Sequence, residues 1–404
     1  MSNLSHSSFS VAPSPNSNQT HPLAMSSPNR TKLPTPGPVS PAGRKSPTPG
    51  LAQSPTPAPL SPVADEPSEP IGLLAGSHWA EQELSLDDDA DSTLGSDAES
   101  STASISSSIM RYRTIRGRTY HSDAATDHEY WGPNDEKANE MLDIFHHFQT
   151  LLLDGKLYTA PIKDDIENAL DVATGTGLWA VDFADEHPNC NVIGTDISPI
   201  QPSWVPPNLH FDIDDATKPW TYREDFFDYV HIRWLTGVIR DWPALYKQAY
   251  KCMKPGAWIE HIDGEVNLVC NDGTMPEDSA LYQWGKIWTE VGRKTGVAIN
   301  MADSGCMENG VKEAGFTNIQ VKDYLAPCSG WPTDPKQKEL GLFNMVYLTQ
   351  DLEGIFAYFL GEVMGWSDEA LAGYAACVRK EFKEQKIHAN WKWRVVLAQK
   401  PLDA

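Results

Sequence analysis

The sequence has few cysteines, and none of them stand in a pattern. Its six, at positions 190, 252, 270, 306, 328 and 377, contain no CxxC pair. That spacing excludes a zinc ribbon and a dense disulfide framework, and it suits a reducing compartment. Positive charge is also short: 32 Lys and Arg face 55 Asp and Glu, for a net charge of −23. A chain so acidic lacks the basic footprint that attraction to nucleic acid phosphates requires. No run of about 18 apolar residues exists, so no membrane span is expected. The first residues have no apolar stretch after a basic start, so no secretory leader is expected. His146 and His147 have no carboxylate at ligand spacing, so no metal is expected.

What is present is strongly segregated along the chain. Residues 1 to about 110 are dominated by Ser, Pro, Thr, Ala and Gly. Such a composition cannot bury enough surface to offset its ordering entropy, which predicts a disordered tail. Ser or Thr precedes Pro at 14, 27, 35, 40, 46, 48, 54, 56 and 61. These are proline-rich spacer positions or sites for proline-directed phosphorylation. Ile71–Trp79 is the one apolar island, and Asp87–Asp91 is an acidic, solvating run. The arginines between 111 and 118 are a candidate nuclear import signal. The chain thus divides into a tail, 1–110, and a folded domain, 111–404.

The domain reads as a βαβ series. A helix capped by Asn134 carries Met141, Phe145, Phe148 and Leu152 on one face, with Gly155 at its stop. Strands are predicted at Asn168–Val172, Asn191–Thr195, Leu209–Ile213, Phe227–Ile232 and Ala257–Ile262. Helices fall at Leu178–Glu186, from Asp241 and Pro243 to Met253, and at about Asp278–Thr295. Two late strands, Asn318–Tyr324 and Trp391–Gln399, flank a helical insertion near Leu340–Lys386. The pattern predicts a Rossmann-like, doubly wound, mostly parallel α/β sheet with right-handed crossovers. The insertion is expected to wall a substrate pocket.

The chemistry concentrates in Ala169–Gly177 and Val192–Asp196. An apolar strand ends in Asp171 and runs into a turn with Gly175 and Gly177. The next strand ends in Asp196, nineteen positions after Gly177. Glycines there let the backbone approach a ligand, and Asp196 is placed to accept both hydroxyls of a ribose. Gly175–Ala180 also matches the dinucleotide fingerprint G-x-G-x-x-A. Asp171, however, suits an ammonium and opposes a pyrophosphate, and one of Asp214 and Asp215 would receive an adenine amine. These acids favour S-adenosyl-L-methionine over a dinucleotide. Thr174 and Ile197 flank the two acids, and Tyr130 and Trp131 are expected either to close over the methionine end or to pack as core aromatics. His231, after the fourth strand, is the candidate general base, with a buried, hydrogen-bonded histidine as the alternative. Arg233 is a candidate anchor for an acidic substrate or a partner for a sheet-end carboxylate. Glu260 and His261 point to opposite faces of their strand, so at most one faces the pocket.

Residues 116–400 resemble a class I S-adenosylmethionine-dependent methyltransferase of the fungal LaeA-like group. The shared pieces include Gly117–His121, Tyr130–Glu136, Asp171–Trp179, Gly194–Ser198, Asp214–Ala216, His231–Leu235 and Gln248–Gly256. The Pro-Asn-Asp-Glu and His-x-Arg elements are the more specific ones. The chain departs from the pattern at Gly256–Trp258 and at Ile259–Asp263. The resemblance implies a regulator of secondary metabolism or development, working through protein complexes in nucleus and cytoplasm. A biosynthetic small-molecule methyltransferase and a cofactor-binding scaffold with little turnover are the alternatives. The methyl acceptor is not specified by these residues.

Overall fold

The computed structural model describes residues 72–82, 108–126 and 130–404. The Ser/Thr-Pro sites and the acidic run lie outside the described residues. The described part opens with a short helix, α1 (Gly76–Ala80), and a two-stranded hairpin, β1 (Arg113–Ile115) and β2 (Arg118–Tyr120). Helix α2 (Glu136–Leu152) follows, and buries Met141, Phe145, Phe148 and Leu152 as the apolar spacing requires. Its N-cap is Asp135, whose side chain accepts from Ala138 N at 3.2 Å; the cap is not Asn134. Both residues are good caps, but Arg118 fixes Asp135 from behind at 2.5 and 2.6 Å.

The alternating run comes next: β3 (Asn168–Val172), α3 (Leu178–Glu186), β4 (Asn191–Asp196), β5 (Leu209–Ile213) and β6 (Phe227–Arg233). Helix α4 (Trp242–Cys252) and β7 (Met253–Gly264) complete it. Strands β3 to β7 pair in parallel, in the order β5-β4-β3-β6-β7. Two more helices, α5 (Ala280–Thr295) and α6 (Cys306–Glu313), precede β8 (Thr317–Pro327). The insertion then runs through α7 (Pro335–Gln350), α8 (Leu352–Phe356), a π-helical stretch at Ala357–Val363, and α9 (Asp368–Glu384). Strand β9 (Asn390–Gln399) enters the sheet antiparallel between β7 and β8. The result is a seven-stranded sheet with apolar cores on both faces.

The order places a switch point between β3 and β6, where the chain winds outward in both directions. In an open α/β sheet that is where the carboxyl ends of the strands leave a crevice. Asp171 and His231 are register partners across this boundary.

Residues 72–79 of the apolar island assigned to the tail are part of the folded domain. Trp79 is 2% exposed and packs 4.8 Å from the ring of Tyr374 on α9. Leu74 N donates to Gln283 Oε1 on α5 at 3.1 Å. The boundary at residue 110 therefore leaves a packed segment, 72–82, outside the domain it belongs to. A single tryptophan with two leucines buries enough area to dock a short helix that could not persist alone.

Three of the four arginines of the 111–118 segment are likewise engaged, and Arg111 is exposed. Arg113 pairs with Asp123, and Arg116 pairs with Glu362 and Asp368. Arg118 bridges Asp135 and Asp351, joining the hairpin to the starts of α2 and α8.

Candidate active site

The cleft opens above the carboxyl ends of β3, β4 and β6. The βα turn after β3 forms its floor. Ala173, at φ +55°, and Gly175, at φ +61°, turn the chain out of the strand toward α3. A Cβ on Gly175 would meet nothing closer than Leu142 Cδ1 at 3.5 Å, so its backbone faces open space. The turn is held from three sides. Thr174 N donates to Thr195 O at 2.8 Å, Gly175 N donates to Asp196 Oδ2 at 2.8 Å, and Gln201 Nε2 donates to Gly175 O at 2.6 Å.

Tyr130, Asp171, Thr174, Gly175, Asp196, Ile197, Asp214 and Asp215 all line this cleft. The acids differ in what they have left to offer. Asp171 is 3% exposed and uses one oxygen for Thr174 Oγ1 at 2.5 Å and the other for His231 Nδ1 at 2.7 Å. Asp196 is half-buried and also accepts from Ser198 N at 2.9 Å. Its enclosure, opposed by these backbone donors and reinforced by Asp171, pushes its carboxyl up to about 6. Asp215 is held by Thr126 Oγ1 and Thr217 Oγ1, both at 2.6 Å. Asp214 accepts only from the backbone N–H of Asp215, and burial raises its pKa. The less committed acid of the pair is thus Asp214.

Two expected residues are elsewhere. Gly177 is not on the cleft wall. A Cβ there would lie 2.4 Å from Phe211 Cζ, and its φ is +81°. It is glycine to seat the Phe211 ring and to start α3, rather than to admit a ligand. His231 is 0% exposed, with its ring stacked on Trp179 at 3.7 Å between centroids. Burial lowers its pKa against the pull of Asp171, and Nε2 has no protein partner. A neutral ring sealed beneath the floor cannot collect a proton from an acceptor in the cleft. The candidate base is therefore a positioning residue for Asp171.

Glu260 and His261 also fall outside. Glu260 accepts from Thr159 N, Thr159 Oγ1, Ala160 N and Tyr229 OH. His261 bonds Tyr246 OH at 2.6 Å. The insertion does not wall the cleft either, since none of residues 335–386 line it. It acts one layer back: Tyr347 on α7 packs 4.8 Å from Phe145, and Phe359 packs 5.6 Å from Trp131. Phe145, Trp234, Val238 and Ile239 make the apolar end of the cleft. Trp234 sits at φ +59°, a strained conformation for an aromatic residue, wedged among Phe145, Trp391 and Trp393. Nothing in the local sequence marks that conformation. Among the described residues no cluster of His, Cys, Asp and Glu is arranged to hold a metal.

Carboxylates end three adjacent strands around a bare glycine backbone. That donor set suits a ligand offering hydroxyls, an amine and an ammonium, and it repels a pyrophosphate. Comparison with known proteins agrees. A family model described as a methyltransferase domain matches residues 144–321. The chain is 38% identical over 306 residues to the methyltransferase pytC of Aspergillus terreus, spanning 76% of this chain and 93% of that protein. It is 35% identical to the secondary metabolism regulator LAE1 of Cochliobolus heterostrophus, spanning 70% and 94%. It is 29% identical to the protein-methionine methyltransferase laeA of Emericella nidulans, spanning 76% and 82%.

The chain belongs to the LaeA-like family of class I methyltransferases. As such a methyltransferase it uses S-adenosyl-L-methionine, and the acidic cleft suits that cofactor. No helix of the described residues is long and apolar enough to cross a membrane.

Proposed function

We propose that this methyltransferase regulates secondary metabolism or development by methylating a protein, within complexes in nucleus and cytosol. The observation that carries the enzymatic part is the ring of Asp171, Asp196 and Asp214 at three adjacent strand ends of one cleft. In this reading Asp196 accepts the ribose hydroxyls, Asp214 the adenine amine, and Asp171 the methionine ammonium. Tyr130 and Ile197 cover the ligand, and Thr174 fixes Asp171. The cofactor supplies an electrophilic methyl group. The protein supplies orientation and exclusion of water, with no buried base beneath the floor to assist. The regulatory part is supported by the relatives named as regulators, and the protein acceptor by the relative named for protein methionine. The net charge of −23 supports action through protein partners rather than through DNA.

A small-molecule acceptor is the second reading, favoured by the apolar end of the cleft formed by Phe145, Trp234, Val238 and Ile239. One experiment separates the two. The native gene is replaced by an Asp196→Ala copy, and extracts are incubated with purified wild-type chain and methyl-labelled S-adenosylmethionine. Label on protein, together with altered secondary-metabolite transcripts in the mutant strain, supports regulation by protein methylation. Label confined to a small metabolite, with unaltered transcripts, supports a biosynthetic enzyme.

A further inference from the structure

Arg233 closes β6 and lines the cleft. Arg113, Arg116, Arg118, Arg293, Arg379 and Arg394 each pair with at least one carboxylate, whereas Arg111, Arg223 and Arg240 stand exposed in solvent. Arg233 pairs with none among the described residues. Its Nη atoms reach only His146 Nδ1, at 3.3 and 3.4 Å, and its guanidinium lies 5.4 Å from the centre of the Phe145 ring. Enclosure brings its pKa down to about 10. Asp171 and Asp182 attract it from beyond contact distance, but an enclosed guanidinium with no carboxylate against it is costly unless a ligand supplies one.

The partner of Arg233 is itself oriented. His146 is 7% exposed, and its Nε2 lies 2.8 Å from Asp182 Oδ2. Burial and the neighbouring Arg233 hold the imidazole near 4, so at neutral pH it is uncharged. Nε2–H then donates to Asp182, and the Nδ1 lone pair faces Arg233. Accepting there satisfies one edge of the guanidinium. A guanidinium has five N–H donors, so donors remain for the cleft. In the same cleft Asp171 presents a negative charge. A cation and an anion side by side match a group that carries both charges on one carbon.

We propose that Arg233, oriented by the Asp182–His146 pair, is a carboxylate-binding site in the cleft. The proposal rests on the cofactor reading above. The carboxylate has two sources: the amino-acid end of the cofactor, or an acidic group on the acceptor. Arg233 is the binding residue, and His146 is a positioning residue that keeps the fork aimed.

The test is calorimetry on the full chain, comparing wild type with Arg233→Met. S-adenosylhomocysteine is titrated beside 5′-methylthioadenosine, which has the same nucleoside without the amino-acid end. If the cofactor is the source, Arg233→Met weakens S-adenosylhomocysteine about ten- to a hundredfold and leaves methylthioadenosine unchanged, as loss of a charge-assisted pair predicts. If the acceptor is the source, S-adenosylhomocysteine is unchanged. The loaded wild type then prefers phenylacetate to phenylacetamide, and the variant does not. The proposal is overturned if the variant binds S-adenosylhomocysteine normally and neither protein distinguishes acid from amide. Wild type that binds neither nucleoside overturns the cofactor reading itself. For His146, an Asn substitution keeps an acceptor near Nδ1 and retains the preference, whereas Leu loses it. Equal losses for both nucleosides in His146→Leu would reduce that residue to packing.

Discussion

The imidazole of His231 and the carboxylate of Asp171 meet at 2.7 Å across the boundary between β3 and β6, where the two residues are register partners. The sheet thereby fixes the pair through backbone pairing on both strands. The histidine is sealed and the acid emerges at the cleft. His231→Ala should lower stability by about 3 kcal/mol, because it leaves a void against Trp179 and takes a hydrogen bond from a buried carboxylate. His231→Asn, which can still donate, should recover part of the loss. The pH–rate profile of either folded variant should keep the wild-type shape. Loss of one ionisation from that profile, at unchanged stability, would return His231 to the role of base.

Cofactor affinity should fall in mild acid through Asp196. Its carboxyl titrates at about 6 in the free cleft, and hydroxyl donors require the ionised form. Above pH 6 the site is ready and affinity is flat. Below it each pH unit must displace a proton, a loss approaching tenfold per unit, or about 1.4 kcal/mol. Titrations of S-adenosylhomocysteine from pH 5 to 8 read this directly. Asp196→Asn should be weaker throughout and lack that inflection.

Gly177→Ala should destabilise the domain by about 1–3 kcal/mol, through its positive φ and the contact with Phe211. Combining it with Phe211→Leu should restore part of the melting temperature. Gly175→Ala has open space for its Cβ, so it should act mainly on cofactor affinity. Equal stability losses in the two alanine variants would undo the distinction between these glycines.

Strand by strand, the sheet could be read from the sequence, because each parallel strand is a short apolar run ending in an acid or a turn. Asn168–Val172 and Leu209–Ile213 match residue for residue, and Leu178–Glu186 matches as the first crossover helix. The cleft acids could be read for the same reason: a strand end fixes where its last side chain points. What escaped depended on three-dimensional packing. Gly177 looks like a ligand glycine until Phe211, thirty-four residues later, occupies the space beneath it. The burial of His231 depends on the Trp179 ring, and the hairpin at 113–120 depends on the ion pairs of Arg116 and Arg118 with distant acids. The 72–82 segment was hidden by composition, since a mostly polar tail masks one docked tryptophan.

That tryptophan carries its own prediction. Trp79→Ala should cost about 3 kcal/mol, the usual loss for an emptied aromatic site. A chain beginning at residue 108 should melt lower by a similar margin, measured by thermal denaturation of the purified proteins. Cofactor affinity should be nearly unchanged, because none of residues 72–82 line the cleft. An unaltered melting temperature in both would show that the contact with Tyr374 contributes nothing.

Acids at three strand ends select S-adenosylmethionine, and calorimetry reads that selection. The purified chain is titrated at pH 7.5 with S-adenosylhomocysteine and, separately, with NAD. S-adenosylhomocysteine should bind saturably in the low micromolar range, about −8 kcal/mol, binding should be lost in Asp196→Ala, and NAD should not bind. Binding of NAD without binding of S-adenosylhomocysteine would contradict that selection.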